Sequence, residues 1–218
     1  MYKFARTRQE ISKIGKRLYD KGFASGASGN ISVKIDNNIF ITPSGFNLGD
    51  VEETDVIILD HEGNKLEGKY NPSSEKQMHV EIYKTRPDLE AIIHAHTPKA
   101  TAFAVAGIPL DKAILSEAVI AIGSVPIAEY AIPSSDELAK VVAAKFVGHN
   151  AVLMANHGIV TGGHNLKETY YKLETFELYA EIFLWAKLLG NINELSEENV
   201  GELINKFGGF SYEYSKNK

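Results

Sequence analysis

The sequence predicts an α/β protein in which helices cover a mixed sheet, rather than a doubly wound parallel sheet. Three observations lead there. Two hairpins can be read in the first third of the chain, and hairpins make antiparallel pairs. Segments with apolar residues three and four positions apart are interleaved with those strands. Beyond residue 74, short apolar strands and helical segments alternate.

In chain order, Phe4, Ile11, Ile14 and Leu18 share one helical face, and Gly22 stops that helix. A glycine-rich loop follows, Gly26-Ala27-Ser28-Gly29-Asn30. Ile31 to Ile35 alternates as a strand, Asp36-Asn37-Asn38 turns, and Ile39-Phe40-Ile41 returns. A second hairpin joins Val56–Leu59 to Lys65-Leu66 across His61-Glu62-Gly63-Asn64. Ser74 with Gln77 reads as a capping box opening a helix to about Thr85. Ala91–Ala95 is a short buried strand. Ser134 with Glu137 reads as a second capping box, with Leu138, Val141, Val142 and Phe146 turned inward. Ala151–Met154 and Ile159–Thr161 flank a turn at Asn156-His157-Gly158. Leu166, Tyr170, Leu173, Phe176, Ala180 and Phe183 mark a long helix, and a last helix runs from about Ser196 to Phe207.

The 218 residues read as one domain over 1–207 with a Gly-, Ser-, Tyr- and Lys-containing tail over 208–218. The absence of cysteine excludes disulfides, iron–sulfur clusters, Cys-type zinc ribbons and thiol catalysis, and fits a cytoplasmic location. A net charge of −5 with no basic block argues against nucleic acid as the main partner. No signal-like run opens the chain, and no stretch approaches the roughly 18 uninterrupted apolar residues of a membrane span.

The sharpest chemical feature is His94-Ala95-His96. Residues two apart on a strand face the same side, so two imidazoles project together, as metal ligation requires. His157, in a turn before a glycine, suits a third ligand position and equally an ordinary turn. His61, His149 and His164 lie in polar surroundings, and His79, one helical turn from Glu75, reads as a packing residue. Pro72-Ser73-Ser74-Glu75 brings hydroxyls and backbone N–H groups to a helix start, which favours an anion but also describes a plain N-cap. Ser28-Gly29-Asn30 and Thr42-Pro43-Ser44-Gly45 have the same character, and each also makes a common turn.

Taken in order, these five motifs resemble the class II aldolase/adducin family, nearest its L-fuculose-phosphate aldolase branch, from Gly22 to about Phe207. The resemblance implies a three-layer αβα fold around a mostly antiparallel sheet. It also implies one Zn2+ per subunit and a homotetramer with sites between subunits. By position, His94, His96 and His157 match the zinc ligands. Glu75 matches the catalytic acid/base, which also ligates the metal when substrate is absent. Gly29, Asn30, Ser44, Gly45, Ser73 and Ser74 match the residues that hold the substrate phosphate. The implied reaction is cleavage of a ketose 1-phosphate, L-fuculose 1-phosphate or similar, to dihydroxyacetone phosphate and an aldehyde. The alternatives within the family are a sugar-phosphate 4-epimerase, a methylthioribulose-phosphate dehydratase, a decarboxylase and a non-catalytic adducin-like binding domain. Glu rather than Asp at position 75 favours aldolase or dehydratase. The chain departs from the aldolase pattern at Leu115, where a tyrosine proton donor is expected and Glu117 stands near. It departs again around Phe207 and Phe210, with Tyr212 and Tyr214 following.

Overall fold

The chain is described by a computed structural model covering residues 2–207. Its centre is an eight-stranded sheet in the order β4-β3-β2-β1-β5-β8-β7-β6. The strands are β1 (Asn30–Ile35), β2 (Asn38–Ile41), β3 (Ile57–Asp60), β4 (Lys65–Glu67), β5 (Ala91–Ala95), β6 (Ile127–Ala128), β7 (Ala151–Met154) and β8 (Gly158–Gly163). All neighbours are antiparallel except β6 and β7, so the sheet is mixed and mostly antiparallel, as expected. The helices are α1 (Tyr2–Asp20), α2 (Lys76–Thr85), α3 (Pro98–Ala106), α4 (Ser116–Ala121), α5 (Asp136–Lys145), α6 (Leu166–Leu189) and α7 (Glu197–Phe207).

The alternation of side chains along each strand builds two cores. Phe40, Ile58, Ile93, Leu153 and Ile159 join Ile11, Leu18, Phe103, Tyr170 and Phe176 on the face covered by α1, α3 and α6. Ile39, Ile41, Ile57, Ile92, Val152 and Val160 meet Met78, Ile82, Leu138 and Val142 on the face covered by α2 and α5. Adjacent residues such as Ile92 and Ile93 therefore fall in different layers. With both faces covered, β5 is buried along its whole length. A polar group on this strand has to be satisfied inside the protein.

Two expected caps are corrected. α2 starts one residue later than a Ser74 cap requires, because Glu75 occupies the cap position and no side chain closes it. The Ser73 hydroxyl instead accepts the Glu75 N–H at 3.2 Å. In α5 the cap is Ser135, whose Oγ accepts the Leu138 N–H at 3.1 Å, while Ser134 sits before it at φ +66°. α3, α4 and β6 carried no sequence expectation. α3 has apolar and alanine residues around its circumference and hence no one-sided stripe. The Phe4, Ile11, Ile14, Leu18 face, both hairpins and the long α6 stripe all stand as expected. Among the described residues no helix is long and apolar enough to cross a membrane. Phe210, Tyr212 and Tyr214 lie outside the described residues.

Candidate metal centre and anion pocket

Strand register assembles the site. Asn30 on β1 pairs with His94 on β5, and His94 pairs with Val160 on β8. Asn30 and His94 therefore share the sheet face that carries α2. The β7–β8 hairpin closes at Met154 opposite Gly158, so its turn lies at the same end of the sheet. Asn156 adopts φ +56° in that turn, and the His157 N–H donates to Met154 O at 3.0 Å. His96, just past β5, is held by its N–H donating to Phe23 O at 3.0 Å.

The rings of His94, His96 and His157 meet with centroids 4.9, 4.9 and 5.1 Å apart. One ligand atom from each lies within 4.8 Å of the others. His94 is fully buried; its Nδ1 lies 3.0 Å from Ile159 O. A carbonyl only accepts, so Nδ1 carries the hydrogen and Nε2 presents a lone pair. That Nε2 lies 3.1 Å from His96 Nε2 and 3.1 Å from Glu75 Oε2. Glu75 Oε1 is buried, has no hydrogen-bond partner, and stands 3.5 Å from His157 Nε2.

Burial keeps the His96 and His157 rings unprotonated. It lowers His96 to about 4, with His94 and His157 contributing, and it lowers His157 as well. Burial opposes the charge on Glu75, but His94, His157 and the amide of Asn30 outweigh it and hold the carboxyl below its ordinary range. Near neutral pH the site thus gathers the neutral imidazoles of His96 and His157 and the Glu75 carboxylate around His94 Nε2, acceptors aimed at one another. Such a donor set is relieved by a cation, and N and O ligands of this kind suit a divalent metal. The residues present therefore fit a metal held by His94, His96 and His157, with Glu75 beside them.

Three loops border this cluster. Thr42 stitches them together: its N–H donates to Ile31 O at 3.1 Å, its Oγ1 accepts the Ile31 N–H at 3.1 Å, and its carbonyl accepts the Ser73 N–H at 3.0 Å. Ser44 N–H donates to Asn71 O at 3.0 Å, bridging Pro43 to Pro72. The result is a pocket of about 340 Å³ lined by Gly29, Asn30, Ser44, Gly45, Ser73 and Ser74 together with Glu75 and the three histidines. Every residue expected at the site is there. Sequence reasoning missed Pro133 and Ser134, which enter the same pocket from the loop before α5. No local signal marked them as pocket residues; Ser134 stands there at φ +66°. Leu115, half-buried before α4, and the exposed Glu117 are not part of this pocket within the chain. His79 does pack, as expected, but as a hydrogen-bonded member of the layer behind Glu75.

Two glycines permit the close packing. A Cβ on Gly29 would stand 2.9 Å from His94 O, at φ +78°. A Cβ on Gly158 would stand 2.6 Å from Ala95 O, 2.8 Å from His96 Cδ2 and 3.3 Å from His94 Cε1. Gly158→Ala is therefore expected to push two of the rings out of place. Metal affinity should fall about 10–100-fold, the usual cost of disturbing what orients metal ligands. Competition with a chromogenic chelator measures this, and unchanged affinity would show that the turn does not set the rings.

Fold and site together define a class of protein: a mixed αβα sheet with a cluster of three imidazoles fit to hold a divalent metal at one end, opening on a pocket of hydroxyls and backbone amides. The description "Class II Aldolase and Adducin N-terminal domain" matches residues 9–184. The chain belongs to the class II aldolase and adducin family. It is 39% identical over 173 residues to an L-fuculose phosphate aldolase of Methanococcus maripaludis, covering 78% of this chain and 91% of that protein. It is 33% identical over 205 residues to a 5-deoxy-D-ribulose 1-phosphate aldolase of Bacillus thuringiensis, covering 93% and 96%. A 3-oxo-tetronate 4-phosphate decarboxylase of Haemophilus influenzae is 32% identical over 204 residues, covering 89% and 94%. A solved L-fuculose 1-phosphate aldolase superposes with a TM-score of 0.87 at 39% identity, covering 92% of this chain and 95% of that one.

Proposed function

We propose that this protein is a zinc-dependent aldolase that cleaves a ketose 1-phosphate, such as L-fuculose 1-phosphate or 5-deoxy-D-ribulose 1-phosphate, to dihydroxyacetone phosphate and an aldehyde. The observation that carries this reading is the convergence of three imidazoles and Glu75 at the edge of the hydroxyl- and amide-lined pocket. A cation bound there would act as a Lewis acid on substrate oxygens and stabilise the charge that builds on the C2 oxygen as the electron pair of the broken C3–C4 bond moves into the carbonyl. The chain supplies the rest. Ser44, Gly45, Ser73, Ser74, Gly29 and Asn30 bind the phosphate and set the reacting carbons beside Glu75. The substrate's C4 hydroxyl gives up its proton to the Glu75 carboxylate as that oxygen becomes the aldehyde carbonyl. Glu75 then returns that proton to C3, and its unpartnered Oε1 is the atom for the transfer.

In this reading residues 1–207 form the catalytic domain. The active form is a homotetramer with sites between subunits. The work is cytoplasmic carbohydrate metabolism. The 3-oxo-tetronate 4-phosphate decarboxylase relative supports a second reading on the same residues. Loss of carbon dioxide beside a carbonyl also leaves a carbanion that needs an electron sink and a proton.

Incubation with a panel of ketose 1-phosphates, with reduction of dihydroxyacetone phosphate coupled to NADH oxidation, tests the proposal. Release of that triose phosphate from at least one supports it. Carbon dioxide from 3-oxo-tetronate 4-phosphate, with no triose phosphate from any ketose, would replace it with the second reading. Ser74→Ala should raise KM about tenfold and leave kcat within about threefold, since one hydrogen bond to a charged group contributes roughly 1.5–3 kcal/mol. An unchanged KM would remove Ser74 from the phosphate subsite.

A further inference from the structure

Behind Glu75 and Asn30 run three buried polar groups, Tyr83, Ser32 and His79, that neither the metal centre nor the phosphate pocket uses directly. Tyr83 Oη lies 2.9 Å from Ser32 Oγ, and Ser32 Oγ lies 2.6 Å from His79 Nδ1. His79 Nε2 meets Asn30 Oδ1, and Asn30 Nδ2 donates to Glu75 Oε2 at 3.0 Å. His79 and Ser32 are fully buried, and Asn30 and Tyr83 nearly so.

The direction of every hydrogen in this line follows from its last member. A carboxylate only accepts, so the amide nitrogen of Asn30 faces Glu75 and its oxygen faces His79. His79 Nε2 must then carry a hydrogen, because a bare nitrogen would face a bare oxygen. Burial holds the ring neutral, at about 3, so Nδ1 is bare and accepts from the Ser32 hydroxyl. Ser32 in turn accepts from Tyr83. All four hydrogens point toward Glu75. The amide in the line cannot pass a proton onward, so its effect is orientation rather than relay.

We propose that His79 is a positioning residue, which acts through Asn30 to hold Glu75 by Oε2 and leave Oε1 free for proton transfer. This inference rests on the role given to Glu75 above. Without the Nε2–H donor, the Asn30 amide oxygen loses the partner that anchors it, and the amide can swing away from the carboxylate. The Glu75 rotamer is then no longer defined, although His79 itself touches no substrate.

The first test needs no activity. In metal-free protein with 15N-labelled histidine, His79 is expected as the Nε2–H tautomer with a slowly exchanging imidazole proton, assigned by its loss in H79Q. An Nδ1–H tautomer would overturn the proposal. The second test compares kinetics. H79L should lose about 10–100-fold in kcat at a KM within about threefold of the parent, the scale of other outer-layer losses. H79Q, whose carboxamide N–H replaces the Nε2–H donor, should restore most of that loss. Equal losses in both variants, or no loss in H79L, would reduce His79 to a packing residue. Should H79L not fold, Ser32→Ala removes the donor to Nδ1, along with the acceptor of the Tyr83 hydroxyl, and leaves the imidazole in place. It should then mix the His79 tautomers and lower kcat severalfold, and an unchanged spectrum with unchanged kcat would overturn the proposal. A protein that turns over no sugar phosphate but shows the Nε2–H tautomer would refute the reaction and keep the hydrogen-bond chain.

Discussion

Alanine in place of His94 is expected to abolish metal binding and turnover together. His94 is the buried member of the triad and the one whose tautomer a backbone carbonyl sets. Its Nε2 is also the atom closest to both Glu75 and His96, at 3.1 Å each. Removing it leaves two ligands with no shared centre and strips Glu75 of a neighbour. Bound metal, measured by elemental analysis after dialysis, should drop from about one equivalent to a trace. The rate should fall by about 10³-fold or more, since Lewis-acid stabilisation contributes several kcal/mol. The fold should persist. The loss is one ring and one hydrogen bond, about 1–3 kcal/mol for the carbonyl left unpaired, against a stability of about 5–15 kcal/mol. Circular dichroism separates the two effects. A folded H94A that kept one equivalent of metal would disprove the assigned centre.

Glu75→Gln is expected to separate what His94→Ala removes at once. The amide has the carboxylate's shape, so the rings and the three loops should stay in place and metal should remain bound. What disappears is the ability to accept and return a proton. The carboxyl is held below its ordinary range and is ionised at neutral pH, ready to act as a base in the condensation direction. General acid–base assistance is worth about 10²–10⁴ in rate, and kcat should fall by that factor. Exchange of the C3 hydrogen of dihydroxyacetone phosphate with deuterated water isolates the step, because it needs no aldehyde. E75Q should lose this exchange while retaining metal. Near-normal exchange would transfer the proton-carrying role to another group.

The residues that carry these predictions were legible in the sequence because their chemistry is local. His94 and His96 lie two apart at the end of an apolar strand, and that spacing alone places both on one face. The glycines beside Asn30 and His157 mark backbone that approaches other backbone closely, as the contacts a Cβ would make on Gly29 and Gly158 bear out. β1 was readable by alternation, β5 and β7 as short apolar runs and α6 by its stripe, whereas β6 gave no signal. α3 gave none either, because a helix with apolar residues around its circumference shows no period. The Ser74 cap failed for a related reason. A capping pattern ranks local options, but Thr42 holds the Ser73 N–H and Ser73 in turn takes the Glu75 N–H, so the helix begins one residue later. The α5 cap likewise falls one residue later, at Ser135, and Ser134 lies in the pocket at φ +66°.

By itself the sequence determined the elements with a clear period, the absence of thiol chemistry, and the identity of every imidazole, carboxylate and hydroxyl now at the site. Only the tertiary structure decided that His157 joins the pair on β5, that three separate turns make one pocket, and that His79 stands behind Glu75 with its hydrogen pointing forward. The physical reason is register. Pairing Asn30 with His94 and Met154 with Gly158 brings distant segments to one end of the sheet. Pairing between strands far apart in the chain is set by the burial of both sheet faces, which no local pattern of residues encodes.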